Sequence, residues 1–457
     1  MFNHAIKFFY PDIKKEEYLK FCLLGLTLFL ILGSYWALRI LKEFMIYKVA
    51  FPTSLGWRVG YGREIIPWIK TVTPFINILI IIIYTKLVDI VEKHKLFYIF
   101  CSFYALIFSI IGCILVINDF YGPAAIGSSV LATVGIISYF ATESYGSLLI
   151  VLFWSFTISV TKKNEATRGF PFIVTIAQVG SIIGSASTLF LHLPDWPIYI
   201  FCSMLMMMVS FMIHLIMIKI PAHNLVSDVE EKKHKPDLFA GIRLLTTQPY
   251  LFGIFLVSTL YEIAKIIIDY QMNSQADIIG INFKWFIGFF GVCVNVVSFL
   301  IALLGTSYII KKFGLQFCLL LYPICFGISV MFLYLYYQSN PSPENLLWAT
   351  FIVMVIISAM GYAISNPTKD MMYIPTSNDA KFKVKGITDT IGSRTTKAAG
   401  MQIGRYLNVP GQPTASIQNL MSYGTIISFG IIGVWLIAAI YVGKKNKQLN
   451  EDGKIVG

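Results

Sequence analysis

The chain has 457 residues, of which 56% are hydrophobic and 13% are charged. A soluble globular protein carries about 25% charged residues, so this composition excludes an ordinary soluble domain. The formal net charge is +12, but no basic stripe with interleaved aromatic residues lies outside the apolar segments, so no nucleic-acid partner is expected.

Twelve apolar segments follow one another, and each is long enough for a membrane-spanning helix of about 20 residues. Six are predicted at roughly 21–42, 65–88, 96–117, 133–160, 170–192 and 196–220. Six more are predicted at roughly 249–272, 284–310, 314–338, 345–371, 387–409 and 419–443. The eleventh is the most polar, which is typical of a helix that lines a wet cavity.

A polar stretch at 221–248 separates the two sets of six helices. We interpret it as a solvated cytoplasmic linker between an N-terminal half at 1–220 and a C-terminal half at 249–457. Two six-helix halves joined in this way predict an all-α, polytopic membrane protein with a major-facilitator-like architecture.

The basic residues of the loops are distributed unevenly, which predicts the orientation of the chain in the membrane. Loops on one side hold most of them, including Lys86, Lys93, Lys95, Lys162, Lys163, Arg168, Lys232, Lys233, Lys311, Lys312, Lys381 and Lys383. By the positive-inside rule this side is cytoplasmic, and both termini lie there. The segment from Lys48 to Arg63 is an exception, since it is basic and lies in a predicted outer loop.

Several ionisable residues lie inside the predicted helices, where a charge costs about 2.5–3.5 kcal/mol on insertion scales and is functional by default. They are Arg39 and Lys42 in the first helix, Lys70 in the second, Glu143 in the fourth, Glu262 and Lys265 in the seventh, Lys369 in the tenth, and Arg394 and Lys397 in the eleventh. In this architecture the first, fourth, seventh and tenth helices face the central cavity, and each carries a charge.

Basic groups outnumber acidic ones in these helices, so a polyanion such as a phosphate chain suits the predicted cavity. Arg394 and Lys397 share one helix face because they are three residues apart. Two like charges on one face repel each other unless an anion or a carboxylate lies between them. The pair therefore favours an anion site.

A purely structural role also stays open for these groups. A lysine can extend its ammonium group to a membrane interface while its stem stays in the apolar region. The lysines to which this or an anchoring role could apply are Lys42, Lys70, Lys265 and Lys369. Glu143 and Glu262 lie nearer the middle of their helices, where they could form structural ion pairs.

Other functional motifs are missing. The sequence has no Walker A motif, so ATP hydrolysis on this chain is not expected to drive transport. Gly180 and Gly184 form a small-xxx-small motif, which is typical of close helix packing. No nucleophile with a base and no metal-ligand spacing occurs, so we expect no enzyme, no metal and no cofactor.

Several motifs occur in the same order as in a known family. They are Leu38–Glu43, Ile66–Lys70, Thr142–Ser147, Leu152–Phe156, Glu165–Arg168, Tyr261–Glu262 and Asn366–Pro375, followed by Val384-Lys385-Gly386, Asp389, Gly392, Arg394, Lys397 and Gly400. With these residues the chain resembles the nucleotide transporters of plastids and obligate intracellular bacteria, the ATP/ADP translocases unrelated to the mitochondrial carrier.

The resemblance implies exchange of ADP for ATP, with phosphate carried by some members. It also implies that the charges of Lys42, Glu143, Glu262 and Lys385 matter. One departure is that Lys265 lies one position earlier than the family's lysine after the seventh-helix glutamate. Some members move other nucleotides together with protons.

We therefore predict a monomeric ATP/ADP exchanger that uses alternating access, with the lipid bilayer and the nucleotides as its partners. Its predicted location is a bacterial inner membrane, and a plastid envelope is the alternative. The predicted phosphate ligands are Arg39, Lys42, Lys70, Lys369, Lys385, Arg394 and Lys397. Glu143 and Glu262 are predicted counter-ions that pair with these cations when the site is empty. The alternatives are a proton-coupled importer of other nucleotides and a non-transporting membrane scaffold or enzyme.

Overall fold

The structure is a computed structural model that describes residues 14–189, 194–221, 238–304, 306–377, 380 and 384–456. Most of the predicted linker, including its acidic residues and Lys232, lies outside the described residues. Lys381 and Lys383 lie outside them as well.

Six long helices precede the linker, and their lengths follow from the apolar segments of the sequence. They are α1 (Lys15–Phe44), α2 (Tyr61–Ile90), α3 (Lys93–Tyr121), α4 (Ser128–Ser159), α5 (Lys163–Ala186) and α6 (Trp196–Lys219). A π-helical turn at Met45–Val49 continues α1. A short linker helix at Leu238–Thr247 then precedes the second set.

The second set contains six more helices. They are α7 (Pro249–Ile279), α8 (Phe283–Leu304), α9 (Thr306–Gln338), α10 (Pro343–Met372), α11 (Ser393–Leu407) and α12 (Pro413–Glu451). A π-helical turn at Gly361–Ser365 interrupts α10 just before the Asn366–Met372 segment. A second π-helical turn at Thr388–Gly392 leads into α11.

Among the described residues, eleven helices are long and apolar enough to cross a membrane. The helix that does not meet this criterion is α11, whose charged residues make it the most polar of the twelve. The predicted all-α, multi-pass membrane fold is confirmed, and the polar eleventh helix is where the sequence indicated it.

Helices α7 and α12 extend well beyond their predicted C-terminal ends. Helix α7 continues to Ile279, beyond the predicted end at 272, because the polar side chains of its last turns are buried and Asp277 is paired with Arg63. Helix α12 continues to Glu451, beyond the predicted end at 443. Its polar extension packs on the start of α7, where Asn446 Nδ2 donates to Tyr250 Oη at 2.7 Å.

The described chain divides into two compact units. Among the described residues, the first unit comprises 14–59, 75–189, 194–221 and 284–292, and the second comprises 60–74, 238–283 and the described residues from 293 to 456. The two units follow the two sets of six helices, except that the first half of α2 belongs to the second unit and a part of α8 belongs to the first.

In the first unit, α1 and α5 pack closely through glycines. A Cβ atom added at Gly180 would collide with the carbonyl oxygen of Phe29, and one added at Gly184 would collide with that of Gly33. The predicted packing role of this motif is therefore confirmed. The close approach fixes the position of α1, which carries Arg39 and Lys42.

In the second unit, α7 and α11 pack in a similar way. A Cβ atom added at Gly400 would lie 2.7 Å from the carbonyl oxygen of Ile263, which is tighter than real side chains allow. Ile263 directly follows Glu262, and Gly400 lies three residues after Lys397. The glycine contact therefore brings the charged stretches of the two helices together.

Candidate functional site

One charged cluster of the first unit joins α1 to α4. The ammonium group of Lys42 donates to Glu143 Oε1 and lies 3.9 Å from Glu43 Oε1. The same ammonium group lies 4.2 Å from the centre of the Tyr139 ring. Lys42 is buried, whereas about a quarter of the Glu143 side chain is exposed (24%). The cluster therefore holds one cation between two carboxylates.

Arg39 lies one turn before Lys42 on α1. Its guanidinium carbon is 4.6 Å from the centre of the Trp36 ring. A cation over an indole face is attracted by the ring quadrupole, so Trp36 orients this guanidinium group. Arg39 keeps partial exposure.

The charged cluster of the second unit is built around Glu262 of α7, whose side chain is 8% exposed. Tyr261 Oη donates to Glu262 Oε1 at 2.7 Å. Lys397 Nζ from α11 lies 3.4 Å from the same oxygen, and Ser393 Oγ donates to it at 3.5 Å. The Lys397 side chain is 46% exposed, so its ammonium group can contact both the carboxylate and a ligand.

Two further lysines surround this carboxylate. Lys369 of α10 places its ammonium group 4.0 Å from the centre of the Tyr261 ring. Lys265 lies 5.3 Å from the centre of the Tyr362 ring. Both charges act on Glu262 electrostatically, together with Lys397. The cluster therefore has three cations around one carboxylate, and its excess of positive charge suits a polyanion.

Two of the predicted phosphate ligands pair with carboxylates outside these clusters. Lys70 of α2 lies 3.7 Å from Asp269, which is seven residues, or two turns of α7, after Glu262. Lys385 pairs with Asp370 at 2.7 Å. Asp389 acts electrostatically on both Lys385 and Lys369, so Lys385 is linked to the second cluster through one carboxylate.

Arg394 lies three residues before Lys397 on α11, and it is partly exposed. The structure thus brings Lys42 together with Glu143, and Lys369 and Lys397 together with Glu262. Sequence reasoning did not assign Tyr261, which donates to Glu262 and contacts Lys369. An aromatic residue directly before a charged one in an apolar helix was the available signal, but it is too common to be informative in a chain with 15% aromatic residues.

Known proteins of similar sequence fall into one family. The profile described as TLC ATP/ADP transporter matches residues 1–125 and 134–446. The chain is 26% identical to ADP,ATP carrier protein 1 of Chlamydia pneumoniae over 498 residues, covering 97% of this chain and 94% of that protein.

Plant and rickettsial proteins are similar as well. The chain is 24% identical to the chloroplastic ADP,ATP carrier protein 2 of Arabidopsis thaliana, covering 94% of this chain and 75% of that protein. It is 22% identical to ADP,ATP carrier protein 3 of Rickettsia bellii, covering 98% of both proteins.

Solved transporter structures share the fold. A D-xylose–proton symporter superimposes with a TM-score of 0.62 at 11% identity, covering 93% of this chain and 97% of that chain. A bacterial homologue of the iron transporter ferroportin gives a TM-score of 0.61 at 12% identity, covering 93% and 98%. At such identities the likeness extends to the fold alone.

Proposed function

The chain belongs to the TLC ATP/ADP transporter family, and on that basis we propose that it exchanges ATP for ADP across a membrane by alternating access. The family match covers nearly the whole chain, and the similar proteins of Chlamydia and Rickettsia are named ADP,ATP carriers. The observation that carries the proposal is the cluster of three lysines around Glu262.

The proposed role of this cluster is to hold the phosphate chain. Lys397 and Lys369 are the principal ligands, because they flank Glu262 from two neighbouring helices. Arg394 and Lys385 extend the positive surface along α11 and the segment before it. A charge-assisted hydrogen bond contributes about 1.5–3 kcal/mol, so a few such contacts distinguish a nucleotide from its nucleoside.

Glu262 and Glu143 are the proposed counter-ions. In the empty carrier Glu143 pairs with the buried Lys42, and the buried Glu262 pairs with the half-exposed Lys397. Each pair reduces the cost of keeping a charge away from water. When a phosphate chain replaces Glu262 as the partner of Lys397, the ion pair breaks. Occupancy and conformation are then coupled, because a ligand shifts an equilibrium only through its different affinities for the two states.

We also propose that Arg39, Lys42 and Lys70 contact substrate at other stages of the cycle, that phosphate accompanies the nucleotides, and that the chain acts as a monomer. The proposed location is a bacterial inner membrane with both termini in the cytoplasm, since basic loops favour that orientation. A cysteine at position 232 should resist an impermeant thiol reagent added to intact cells. Rapid labelling from outside would reverse the orientation.

Exchange is tested with the purified chain in liposomes. We expect external labelled ATP to enter ADP-loaded liposomes at least about tenfold faster than empty ones, which corresponds to a barrier difference of about 1.4 kcal/mol for return of the empty carrier. Liposomes loaded with adenosine are the control for nonspecific trans effects. Uptake that does not depend on internal ADP and is abolished by a proton uncoupler would identify a proton-coupled importer instead.

A further inference from the structure

The first half of α2 belongs to a different compact unit from the rest of the helix. Residues 60–74 belong to the second compact unit, although they precede the linker in sequence. Because successive helices cross the membrane in alternate directions, this segment lies on the side opposite the N-terminus, here called the far side. The last turns of α7 lie on the same side, since α7 follows six crossings.

Two ion pairs join α2 to α7 on the far side. Arg63 Nη1 lies 3.3 Å from Asp277 Oδ2, and Lys70 Nζ lies 3.7 Å from Asp269 Oδ2. Both pairs are largely shielded from solvent, with the Arg63 and Asp277 side chains each 8% exposed. Tyr270 Oη also donates to the carbonyl oxygen of Arg63 at 3.2 Å.

The spacing of these charges matches the geometry of two antiparallel helices. Arg63 and Lys70 are seven residues apart on α2, and Asp269 and Asp277 are eight apart on α7. On each helix the two charged residues are therefore about two turns apart on one face. Going inward from the far side, α2 presents Arg63 and then Lys70, and α7 presents Asp277 and then Asp269. Both ion pairs can therefore close at the same time.

Contacts with α11 extend the contact between α2 and α7, which is here called the seam. Gln402 Nε2 donates to Thr71 Oγ1 at 2.6 Å, and the guanidinium carbon of Arg405 lies 4.1 Å from the centre of the Trp68 ring. The first half of α2 is thus held by α7 and α11, two helices from the other side of the linker.

A reciprocal arrangement occurs at the start of α8. Residues 284–292 belong to the first unit, and Lys284 Nζ lies 2.8 Å from Asp195 Oδ1. A Cβ atom added at Gly291 would lie 3.0 Å from Ser185 Oγ, so α8 approaches α5 closely there. Helices α2 and α8 occupy equivalent places in the two sets of six, and each contributes its far-side half to the opposite unit.

We propose that the pairs Arg63–Asp277, Lys70–Asp269 and Lys284–Asp195 form the far-side gate of the carrier and break once in every transport cycle. The proposal rests on alternating access, because six-helix halves that rock must separate on this side to admit substrate. The charges make the gate reversible, since water solvates both partners of each pair when it opens. An apolar contact of the same area would instead expose hydrophobic surface to water when it opened, at a cost in free energy.

The first test uses charge exchange at the outermost pair. Arg63→Asp and Asp277→Arg should each slow ATP/ADP exchange at least about tenfold, because each places two like charges at a closed contact. The double variant, Arg63→Asp with Asp277→Arg, should return exchange to within about threefold of the parent, since it restores an attractive pair. Failure of the double variant to recover, with both single variants folded and inserted, would overturn the gate.

The second test does not depend on which substrate is carried. Ser274 is buried on the face of α7 between Tyr270 and Asp277, so a cysteine there reports opening of the seam. In a chain whose seven native cysteines are replaced by serine, an impermeant maleimide added from the far side should label Ser274→Cys at least about tenfold faster when Arg63→Asp is present.

The matched control is Lys20→Ala. Lys20 is buried and pairs with Glu165 at 2.9 Å, but this pair joins α1 to α5 within one set of six helices. Its loss should leave labelling at position 274 unchanged. Equal acceleration by Lys20→Ala would show general loosening and contradict the gate. Accelerated labelling by Arg63→Asp without ATP/ADP exchange in the parent would support the gate and refute the proposed substrates.

Discussion

The charged clusters of the two units have opposite polarity. In the first unit a lysine on α1, Lys42, lies between Glu143 of α4 and Glu43. In the second unit a glutamate on the equivalent helix α7, Glu262, lies among lysines of α7, α10 and α11. In the contacts described above, the first cluster has one lysine beside two carboxylates, and the second has three lysines around one carboxylate.

This difference assigns different tasks to equivalent helices. The first cluster gains little from an anion, because a phosphate must first displace Glu143 from Lys42. A cluster with surplus cations attracts phosphate directly. In our account the second unit therefore provides most of the phosphate affinity, and the first unit provides an internal ion pair that responds to conformation.

The largest loss of stability is expected in the first unit, at the pair of Lys42 and Glu143. Glu143→Gln removes the carboxylate that accepts from the buried Lys42 and leaves Glu43 at 3.9 Å, and breaking a buried pair in this way typically costs about 3–5 kcal/mol. The double variant Glu143→Gln with Lys42→Gln removes both charges and should be clearly more stable than the single variant. Thermal unfolding of the purified proteins in detergent measures both.

Lys397→Gln is the comparison in the second unit. The Lys397 side chain is about half exposed (46%), and other cations remain near Glu262. Lys397→Gln should therefore lower the unfolding temperature far less than Glu143→Gln does. If Glu143→Gln proved as stable as the parent, the first cluster would not act as a closed ion pair.

A smaller effect is expected for the carboxylate of the second unit. Glu262→Gln removes the competitor of phosphate, so ATP affinity should be equal or improved, while slow release reduces turnover by about tenfold, or 1.4 kcal/mol in the barrier. Labelled ATP binding and ADP-driven exchange separate the two quantities. ATP binding weakened at least tenfold in a folded variant would instead make Glu262 a direct ligand. If transport by Glu262→Gln no longer depended on pH, while exchange was retained at equal pH on both sides of the membrane, proton coupling would be favoured.

The smallest effect concerns Arg39, whose guanidinium group lies over the Trp36 ring. Arg39→Lys keeps the charge but loses the stacked plane, at an expected cost of about 0.5–1 kcal/mol in substrate affinity. Competition between unlabelled and labelled ATP measures this change. A loss of more than about a hundredfold would place Arg39 among the principal phosphate ligands and blur the contrast between the units.

Hydropathy predicts most of this fold because nearly all the helices are apolar, and α11 was recognisable by its charges. The end of α7 was predicted too early, since Asn273 and Asp277 read as a loop until their burial against neighbouring helices is known. For the same reason, Arg63 read as an exception among the outer loops. The structure gives it a partner, Asp277, that lies 214 residues away in the chain.

The charged positions themselves were readable from the sequence, because ionisable residues are rare in membrane helices. The ion-pair partners of these residues were harder to predict from the sequence. The sequence allowed Glu143 to balance Lys42 or the cations of α11, and the choice requires the packing of α1 against α4. Lys70 was predicted on the second helix, whereas Arg63 was placed in the loop before it. Only the structure shows both residues on α2, where two aspartates of α7 match their spacing.

Binding of ATP and adenosine to two lysine variants tests whether phosphate affinity resides in the second unit. We expect Lys397→Gln to weaken ATP binding by about 10- to 150-fold, equivalent to about 1.5–3 kcal/mol, and to leave adenosine binding nearly unchanged. Lys42→Gln should weaken ATP far less. Calorimetry on the purified proteins measures all four affinities. Equal losses of ATP affinity in the two variants, or an unchanged affinity in Lys397→Gln, would show that the second unit does not provide most of the phosphate affinity.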